Sequence, residues 1–318
     1  MNTPRDQHDQ DEHLGVVVGV DGSRLGLDAV RWAVAEARLR GLPLQILHAA
    51  PYSAGSAAGL HRARDILARA FTVAHRADPG VQVTTRRTEH TATASLLDAA
   101  RHAELLVVGM GGGDRPQELL IGSVALEVSG HAPCPVAVVR GGAHRPVADR
   151  PVLVGVDDVT ADAAALTVGF TDAHRHGSGI VVLHARPGAA PFRARLAGHT
   201  EAARVAAWAE LAGALAPWAA RFPDVPLELA LVPGQPASPL LAAAVDARLL
   251  VLGTRGRRAP ARALFGSTSR AVLRRSPVPV VVVSPDTVRP APEPVPAATA
   301  APATSAEVED PHDRSQLR

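Results

Sequence analysis

The chain of 318 residues contains no lysine, one cysteine and few aromatic residues, and each shortage excludes a class of function. Without lysine there is no Walker-type phosphate loop, whose lysine binds the β- and γ-phosphates, and no Schiff-base chemistry. Cys134 alone cannot form an internal disulfide, and its place before an apolar run is typical of a small buried hydrophobe. Aromatic residues make up 3% of the chain, too few for the stacking platforms that bind single-stranded nucleic acid.

The charge of the chain is close to balanced. Its net charge is +2 and its arginines are scattered among acids, so the sequence predicts neither a nucleic-acid partner nor a membrane surface. No apolar run approaches the roughly 18 residues of a membrane span, and the first residues are acidic and polar. We therefore expect a cytoplasmic protein. Residues 1–13 and the Pro/Ala-rich residues 286–318 are predicted to be disordered, because they lack large apolar side chains.

What the chain does contain is two copies of one glycine-spaced loop, each preceded by an apolar run and each with the spacing G-x2-G-x9-G-S. The motif residues are Gly109, Gly112, Gly122 and Ser123 in the first copy and Gly253, Gly256, Gly266 and Ser267 in the second. Glycine lets a backbone approach a ligand closely, and the free N–H groups of a helix's first turn point at an anion. Each loop therefore predicts a phosphate cradle. The alternative, that glycine serves turn geometry alone, is weakened by the repetition of the spacing.

The pattern around the loops is also repeated. Short apolar runs alternate with stretches of helical periodicity, which predicts βαβ units and a parallel, doubly wound sheet. Asp157 follows Asp21 by 136 residues, and Gly253 follows Gly109 by 144. The chain is thus predicted to be an internal duplication, with one domain at residues 14–140, a linker at 141–150 and a second domain at 151–285.

Ligands of open parallel sheets bind beyond the carboxyl ends of the strands, where neighbouring strands connect to opposite faces. Asp21 ends the first predicted strand, Ala49 follows the second, and Gly109 follows the fourth. A carboxylate on one side and a phosphate cradle on the other fit a nucleotide, with the carboxylate at the adenosine end. The alternative for Asp21 is a capping role at the start of the first helix.

These residues resemble the universal stress protein family in its ATP-binding, tandem two-domain form. The resemblance rests on V-V-G-V-D-G-S at 17–23, L-H-A at 47–49, the glycine motif, and P-x-P-V at 133–136, and it covers 14–140 and 151–285. It implies an α/β fold of two tandem five-stranded parallel sheets with strand order 3-2-1-4-5, each similar to the adenine-nucleotide alpha-hydrolases. It also implies a role in the stress response and ATP binding with little or no hydrolysis.

Residue by residue, the resemblance implies two ATP sites. Asp21 and Asp157 would meet the adenosine, and Ala49 and Ala185 would touch the base through their backbone. The eight motif residues named above would hold ribose and phosphates. No catalytic or metal-ligating residue is implied. The second half departs from the pattern at Asp158, an extra carboxylate next to the phosphates, yet both halves are expected to bind.

Three functions remain open at this point. The first is a nucleotide-responsive regulator, read by a protein partner that the sequence does not identify. The second is a slow Mg²⁺-dependent ATPase or phosphotransferase, for which only Asp21, Asp157 and Asp158 are nearby carboxylates. The third is an interaction module whose glycines only shape turns. We expect the first of these, and hence no enzyme.

Two further expectations concern assembly and the histidines. The last apolar strands, residues 136–139 and 280–283, are bare edges that predict an intramolecular pseudo-dimer through these two strands, with a further homodimer left open. His48 and His184 end equivalent strands and are interpreted as hydrogen-bonded structural residues. His174 and His176 are expected to act as partners of a helix dipole, not as metal ligands.

Overall fold

We analysed a computed structural model of the chain. It describes residues 15–51, 56–111, 122–141, 149–186, 201–254, 266–284 and 287. The predicted disordered segments apart from Thr287, most of the predicted linker, and the motif residues Gly112 and Gly256 lie outside this description.

The first half alternates strands and helices as its apolar periodicity predicts. Its elements are β1 (Gly15–Gly19), α1 (Arg24–Arg40), β2 (Leu44–Ala49), α2 (Ala57–Ala77), β3 (Val83–Thr88), α3 (Ala92–Ala100), β4 (Ala103–Gly109), α4 (Ser123–His131) and β5 (Val136–Val139). The β1 side chains Val16, Val17 and Val18 are all fully buried and point alternately to the two faces of the sheet, so a continuous apolar run is what this strand requires.

The second half repeats this order. Its elements are β6 (Val152–Val156), α5 (Ala163–Arg175), β7 (Ile180–Arg186), α6 (Glu201–Arg221), β8 (Leu227–Pro233), α7 (Ala237–Ala243), β9 (Leu249–Gly253), α8 (Ser267–Arg275) and β10 (Val280–Val283), with a 3-10 turn at Ala244–Asp246. The two halves also share their strand register. Val16 pairs with Leu44 in β2, and its equivalent Val152 pairs with Ile180 in β7.

All described strands belong to one sheet of order β3-β2-β1-β4-β5-β10-β9-β6-β7-β8. Each half has the predicted order 3-2-1-4-5. The two predicted five-stranded sheets are continuous with each other, because β5 and β10 pair antiparallel, with Val138 opposite Val280, and join the halves into one sheet. The two apolar edges thus cover each other, which is the intramolecular pairing expected from their composition.

Helices cover both faces of this sheet. α1, α2, α5 and α6 pack on one face, where Phe170, Leu166 and Leu215 are fully buried. α3, α4, α7 and α8 pack on the other face, around Leu106 and Leu250. The first face also contains a feature that sequence analysis missed, a buried ionic cluster at the junction of the two halves.

We call this group the junction ion cluster. It consists of Glu36 and Arg40 from α1, Asp172 from α5, and His176, the residue that follows α5. Arg40 Nη2 lies 2.7 Å from Asp172 Oδ1 and 3.1 Å from Glu36 Oε2, and His176 Nε2 lies 3.2 Å from Glu36 Oε1. All four side chains are 5% exposed or less. Glu36 and Asp172 occupy equivalent positions of the two halves, as do Arg40 and His176, so each half supplies a base to the other half's acid.

Burial shapes the charge states in this cluster. Although burial opposes it, the carboxylates of Asp172 and Glu36 raise the pKa of Arg40, which stays protonated. Burial alone would raise the pKa of Glu36, but the contact with His176 and the charge of Arg40 outweigh it and hold that pKa below its ordinary value of 4.5. His176 therefore follows the end of α5 as expected, but its ring also contacts an acid of the other half. His174 in α5 contacts Asp224 at 2.6 Å.

We predict that Arg40→Ala lowers the free energy of unfolding by about 3–5 kcal/mol, because it removes the guanidinium that lies within 3.1 Å of two buried carboxylates, those of Asp172 and Glu36. Urea denaturation measures the loss. The matched control is Arg38→Ala on the same helix, whose partner Asp78 is 3.7 Å away and whose side chain is 67% exposed. Its expected cost is at most about 1 kcal/mol. Equal losses in the two variants would contradict a structural role for the cluster.

A second prediction concerns acid stability. Because the folded-state pKa of Glu36 is lowered, its ionisation stabilises the fold above pH 4.5, and this contribution is lost as the pH falls through the folded pKa. The difference in unfolding free energy between the wild type and Glu36→Gln should therefore be full above pH 4.5 and shrink below it. Glu210→Gln, at an exposed position of α6, is the control. A difference that stays constant with pH refutes the assignment.

Candidate functional site

The candidate site lies where β1 and β4 end side by side. β1 continues into α1 on one face of the sheet, whereas β4 leads to α4 on the other face. The connections therefore diverge, which opens a crevice at the carboxyl edge of the sheet. A cavity of about 290 Å³ occupies this crevice.

The structure brings the predicted residues of the first half together around this cavity. They are Asp21, Ala49, Gly109, Gly122 and Ser123. Sequence reasoning missed the other lining residues, which are mostly small or apolar. They are Gly19, Val20, Gly26, Leu47, Ala92, Leu96, Val108, Gly111, Val124 and Ala125. The sequence predicts the residues at the end of each strand. It does not predict that Ala92 and Leu96 of α3 line the cavity, because this depends on how that helix packs on the sheet.

The loop between β1 and α1 is held by its own polar side chains. Asp21 Oδ1 accepts a hydrogen bond from the Ser23 amide at 2.9 Å, and Ser23 Oγ accepts one from the Gly26 amide at 3.1 Å. Ser23 is therefore the N-cap of α1. Asp21 braces the loop and keeps an exposed carboxylate at the cavity.

The opposite wall is the start of α4. Gly122 is its N-cap and its amide donates to the Met110 carbonyl oxygen at 2.8 Å, which ties the two ends of the glycine loop together. No side chain of the described residues caps this helix, and Ser123 is its first residue. Uncapped N–H groups at a helix start favour an anion.

The first motif glycine has a packing reason in addition to any ligand. A Cβ on Gly109 would lie 3.1 Å from the Leu25 carbonyl oxygen and 3.3 Å from the Gly26 nitrogen, so the first turn of α1 passes directly over it. Glycine at the end of β4 thus allows α1 to pack closely against the strand.

The matched histidines are structural, as expected. His48 Nδ1 donates to the Val20 carbonyl oxygen at 2.8 Å, and His184 Nδ1 donates to the Val156 carbonyl oxygen at 2.9 Å. Each histidine thus ties the end of the second strand to the end of the first. This bond fixes the position of the strand end next to Asp21.

In the second half, the sheet register places the ends of β6, β7 and β9, and with them Asp157, Ala185 and Gly253, at one edge. Gly266 is the N-cap of α8 and Ser267 its first residue, as in the first half.

The turn before α5 differs from its counterpart. Asp158 Oδ1 accepts from the Thr160 and Ala161 amides at 2.9 Å, and α5 begins only at Ala163, after Asp162 as N-cap. Asp162 Oδ2 accepts from the Asp157 amide at 2.8 Å and the Asp158 amide at 3.2 Å. Burial raises the pKa of the Asp162 carboxyl. The two hydrogen bonds from the Asp157 and Asp158 amides lower this pKa, and the carboxylates of the same two residues raise it further.

Two further features are absent from the described part of the chain. It contains no group of three or more His, Cys, Asp or Glu residues that could hold a metal ion. None of its helices is long and apolar enough to cross a membrane.

A duplicated five-stranded α/β unit, with a crevice where the connections of its first half diverge, defines a class of tandem doubly wound proteins, and comparison with known proteins identifies the family. The model of the universal stress protein family matches residues 15–140 and 150–284. The chain therefore belongs to the universal stress protein family.

Two relatives from Mycobacterium tuberculosis align with this chain over most of its length. Universal stress protein Rv2005c of Mycobacterium tuberculosis is 33% identical over 300 residues, covering 89% of this chain and 99% of its own length. Universal stress protein Rv2623 of the same organism is 32% identical over 295 residues, covering 85% and 96%. A crystal structure of a universal stress protein from Archaeoglobus fulgidus has a TM-score of 0.66 at 19% identity and covers 86% of this chain and 99% of its own, which supports the fold.

We predict that Gly109→Ala destabilises the ligand-free protein by about 1–3 kcal/mol, because the added methyl group forces the first turn of α1 away from β4. Chemical denaturation without nucleotide measures this effect. Gly213→Ala is the control, since a Cβ there meets nothing within 4 Å, and we expect it to be neutral or stabilising by about 0.5–1 kcal/mol. An unchanged stability of Gly109→Ala would mean that this glycine serves only a ligand.

Proposed function

We propose that this chain is an ATP-binding regulatory protein of the stress response, with its nucleotide site in the crevice of the first half and with little or no hydrolysis. One observation carries the proposal. Asp21, Ala49, Gly109, Gly122 and Ser123, which the sequence motifs select independently of any structure, line a single cavity of about 290 Å³. This volume is close to the lower limit of about 300 Å³ for small-molecule sites.

The two ends of the cavity suit the two ends of a nucleotide. Val20, Leu47 and Leu96 provide an apolar wall for the base, beside the backbone of Ala49 and the exposed carboxylate of Asp21. The α4 start offers backbone N–H groups and the Ser123 hydroxyl to the phosphates. Mg²⁺ would be bound mainly by the phosphates themselves.

Binding without turnover is the chemistry that these residues support. In-line phosphoryl transfer needs metal ligands and a positioned nucleophile or water. Asp21 is the single carboxylate among the described lining residues, and it is engaged with the Ser23 amide. The chain has no lysine to neutralise a leaving phosphate.

A regulatory role follows from the shared sheet. A ligand that binds one arrangement of the halves better than another shifts the population toward that arrangement. The first crevice is bordered by β4, and β4 pairs with β5 at the junction with the second half. We expect the bound state to be read by a cytoplasmic protein partner.

The duplicated motif carries the expectation of two sites, one in each half. The described residues of the second half share the sheet edge and the helix start but differ in the turn before α5.

We predict that Asp21→Ala weakens Mg·ATP binding at least tenfold, because the adenosine end loses its carboxylate and the loop loses its brace at the Ser23 amide. Calorimetric titration of nucleotide-stripped full-length protein measures the affinity. The control is Asp65→Ala, an acid on α2 whose side chain is 61% exposed and does not line the cavity. An unchanged dissociation constant for Asp21→Ala would refute the site, and steady phosphate release that Asp21→Ala abolishes would replace the regulator by an ATPase.

A further inference from the structure

The turns that precede α1 and α5 can be compared residue by residue, because the strands around them have the same register. Val16 pairs with Leu105 in β4, and Val152 pairs with Leu249 in β9. With the offset of 136 residues between the first strands, the residue of the second half that corresponds to Gly26 is Asp162.

Contacts with the motif glycines confirm this correspondence. A Cβ on Gly109 would approach the Gly26 nitrogen, and a Cβ on Gly253 would collide with Asp162 Oδ1. The same position therefore lies against the first motif glycine in both halves. In the first half it is a glycine that lines the cavity, whereas in the second half it carries a carboxylate.

The Asp162 carboxylate is buried and bound in place. The residue is 5% exposed, and Oδ2 accepts hydrogen bonds from two successive backbone amides, those of Asp157 and Asp158. Successive amides that converge on one acceptor form an anion-binding arrangement. In the second half this arrangement already holds an anion that belongs to the chain.

We propose that Asp162 is an internal anion that prevents the second crevice from binding ATP, so that each chain binds one nucleotide, in its first half. This inference rests on the function proposed above. Asp162 places a carboxylate against Gly253, whereas Gly109 meets only the backbone of Leu25 and Gly26. The same carboxylate occupies the Asp157 and Asp158 amides, so they are not available to a ligand, and its charge repels a polyphosphate that approaches the glycine motif.

One site per chain differs from the expectation that both halves bind, and the residue responsible is Asp162, not Asp158. Asp158 interrupts the sequence motif, but its carboxylate turns toward the Thr160 and Ala161 amides. Asp162, four residues further, is the acid that contacts the motif glycine. The duplication thus provides one binding half and one half closed by its own side chain.

The test is the number of ATP molecules per chain, measured on full-length, nucleotide-stripped protein by calorimetric titration with Mg·ATP and by native mass spectrometry. The wild type should bind one. Asp162→Gly, which installs the residue of the first half, should bind two, the second with a dissociation constant within about tenfold of the first. The reciprocal variant Gly26→Asp should weaken the first site at least tenfold.

Two more variants show which half holds each site. Asp21→Ala alone should lose most ATP binding. Asp21→Ala combined with Asp162→Gly should still bind one ATP, at the new site of the second half. Because glycine removes the acceptor of two amides, Asp162→Ser serves as a second variant that keeps a hydroxyl acceptor without charge. Circular dichroism and the urea midpoint confirm that each variant is folded.

Each outcome has a separate meaning. Two equal sites in the wild type overturn the role of Asp162 and leave the proposed function standing. One site in the wild type and still one in folded Asp162→Gly and Asp162→Ser also overturn this inference alone. No binding by the wild type or by these variants overturns both the inference and the proposed function.

Discussion

The antiparallel pairing of β5 with β10 is the interaction on which the rest of this molecule depends. Each half ends in an apolar strand that would otherwise be an exposed edge, and each edge covers the other. The pairing also brings α1 and α5 onto one face of a common sheet. Their carboxyl-terminal ends then meet in the junction ion cluster, where Arg40 contacts Asp172 and His176 contacts Glu36. Backbone pairing and buried charge thus specify the same junction.

The shared sheet imposes equal geometry on the two halves, but equal geometry does not make equal sites. Gly109 and Gly253 both end a fourth strand at the carboxyl edge of the sheet, and both lack space for a side chain. At Gly109 the neighbour is the backbone of α1, which leaves a cavity beside it. At Gly253 the neighbour is the Asp162 carboxylate. We propose that the different residues of this one turn separate the roles of the two halves, while both halves keep the same strand order.

Much of this structure could be predicted from sequence, because apolar runs and glycine spacings are local signals. The strand order of each half, the pairing of the last strands and the assembly of Asp21, Ala49 and Gly122 around one cavity all agree with prediction. The junction ion cluster was missed, because Arg40 and Asp172 are 132 residues apart and buried ion pairs have no local pattern. A signal existed nonetheless: acids at 36 and 172 and bases at 40 and 176 keep the repeat offset.

The position of Asp162 was missed for a related reason. Sequence comparison of the halves drew attention to Asp158, where the D-G-S motif is broken, whereas the turn geometry gives the decisive contact to Asp162. An acid opposite Gly26 is visible once the repeats are aligned. The Asp162 side chain points toward Gly253 and not toward solvent, and this direction depends on α5 beginning later than α1. No short sequence motif predicts it.

The most direct test is a crystal structure of the full-length chain grown with Mg·ATP. We predict density for one nucleotide in the crevice between β1 and β4, with the adenosine next to Asp21 and the phosphates at the start of α4. In the same crystal the Asp162 carboxylate should accept hydrogen bonds from the Asp157 and Asp158 amides. A nucleotide bound against Gly253, or an empty first crevice at saturating ATP, would contradict this prediction.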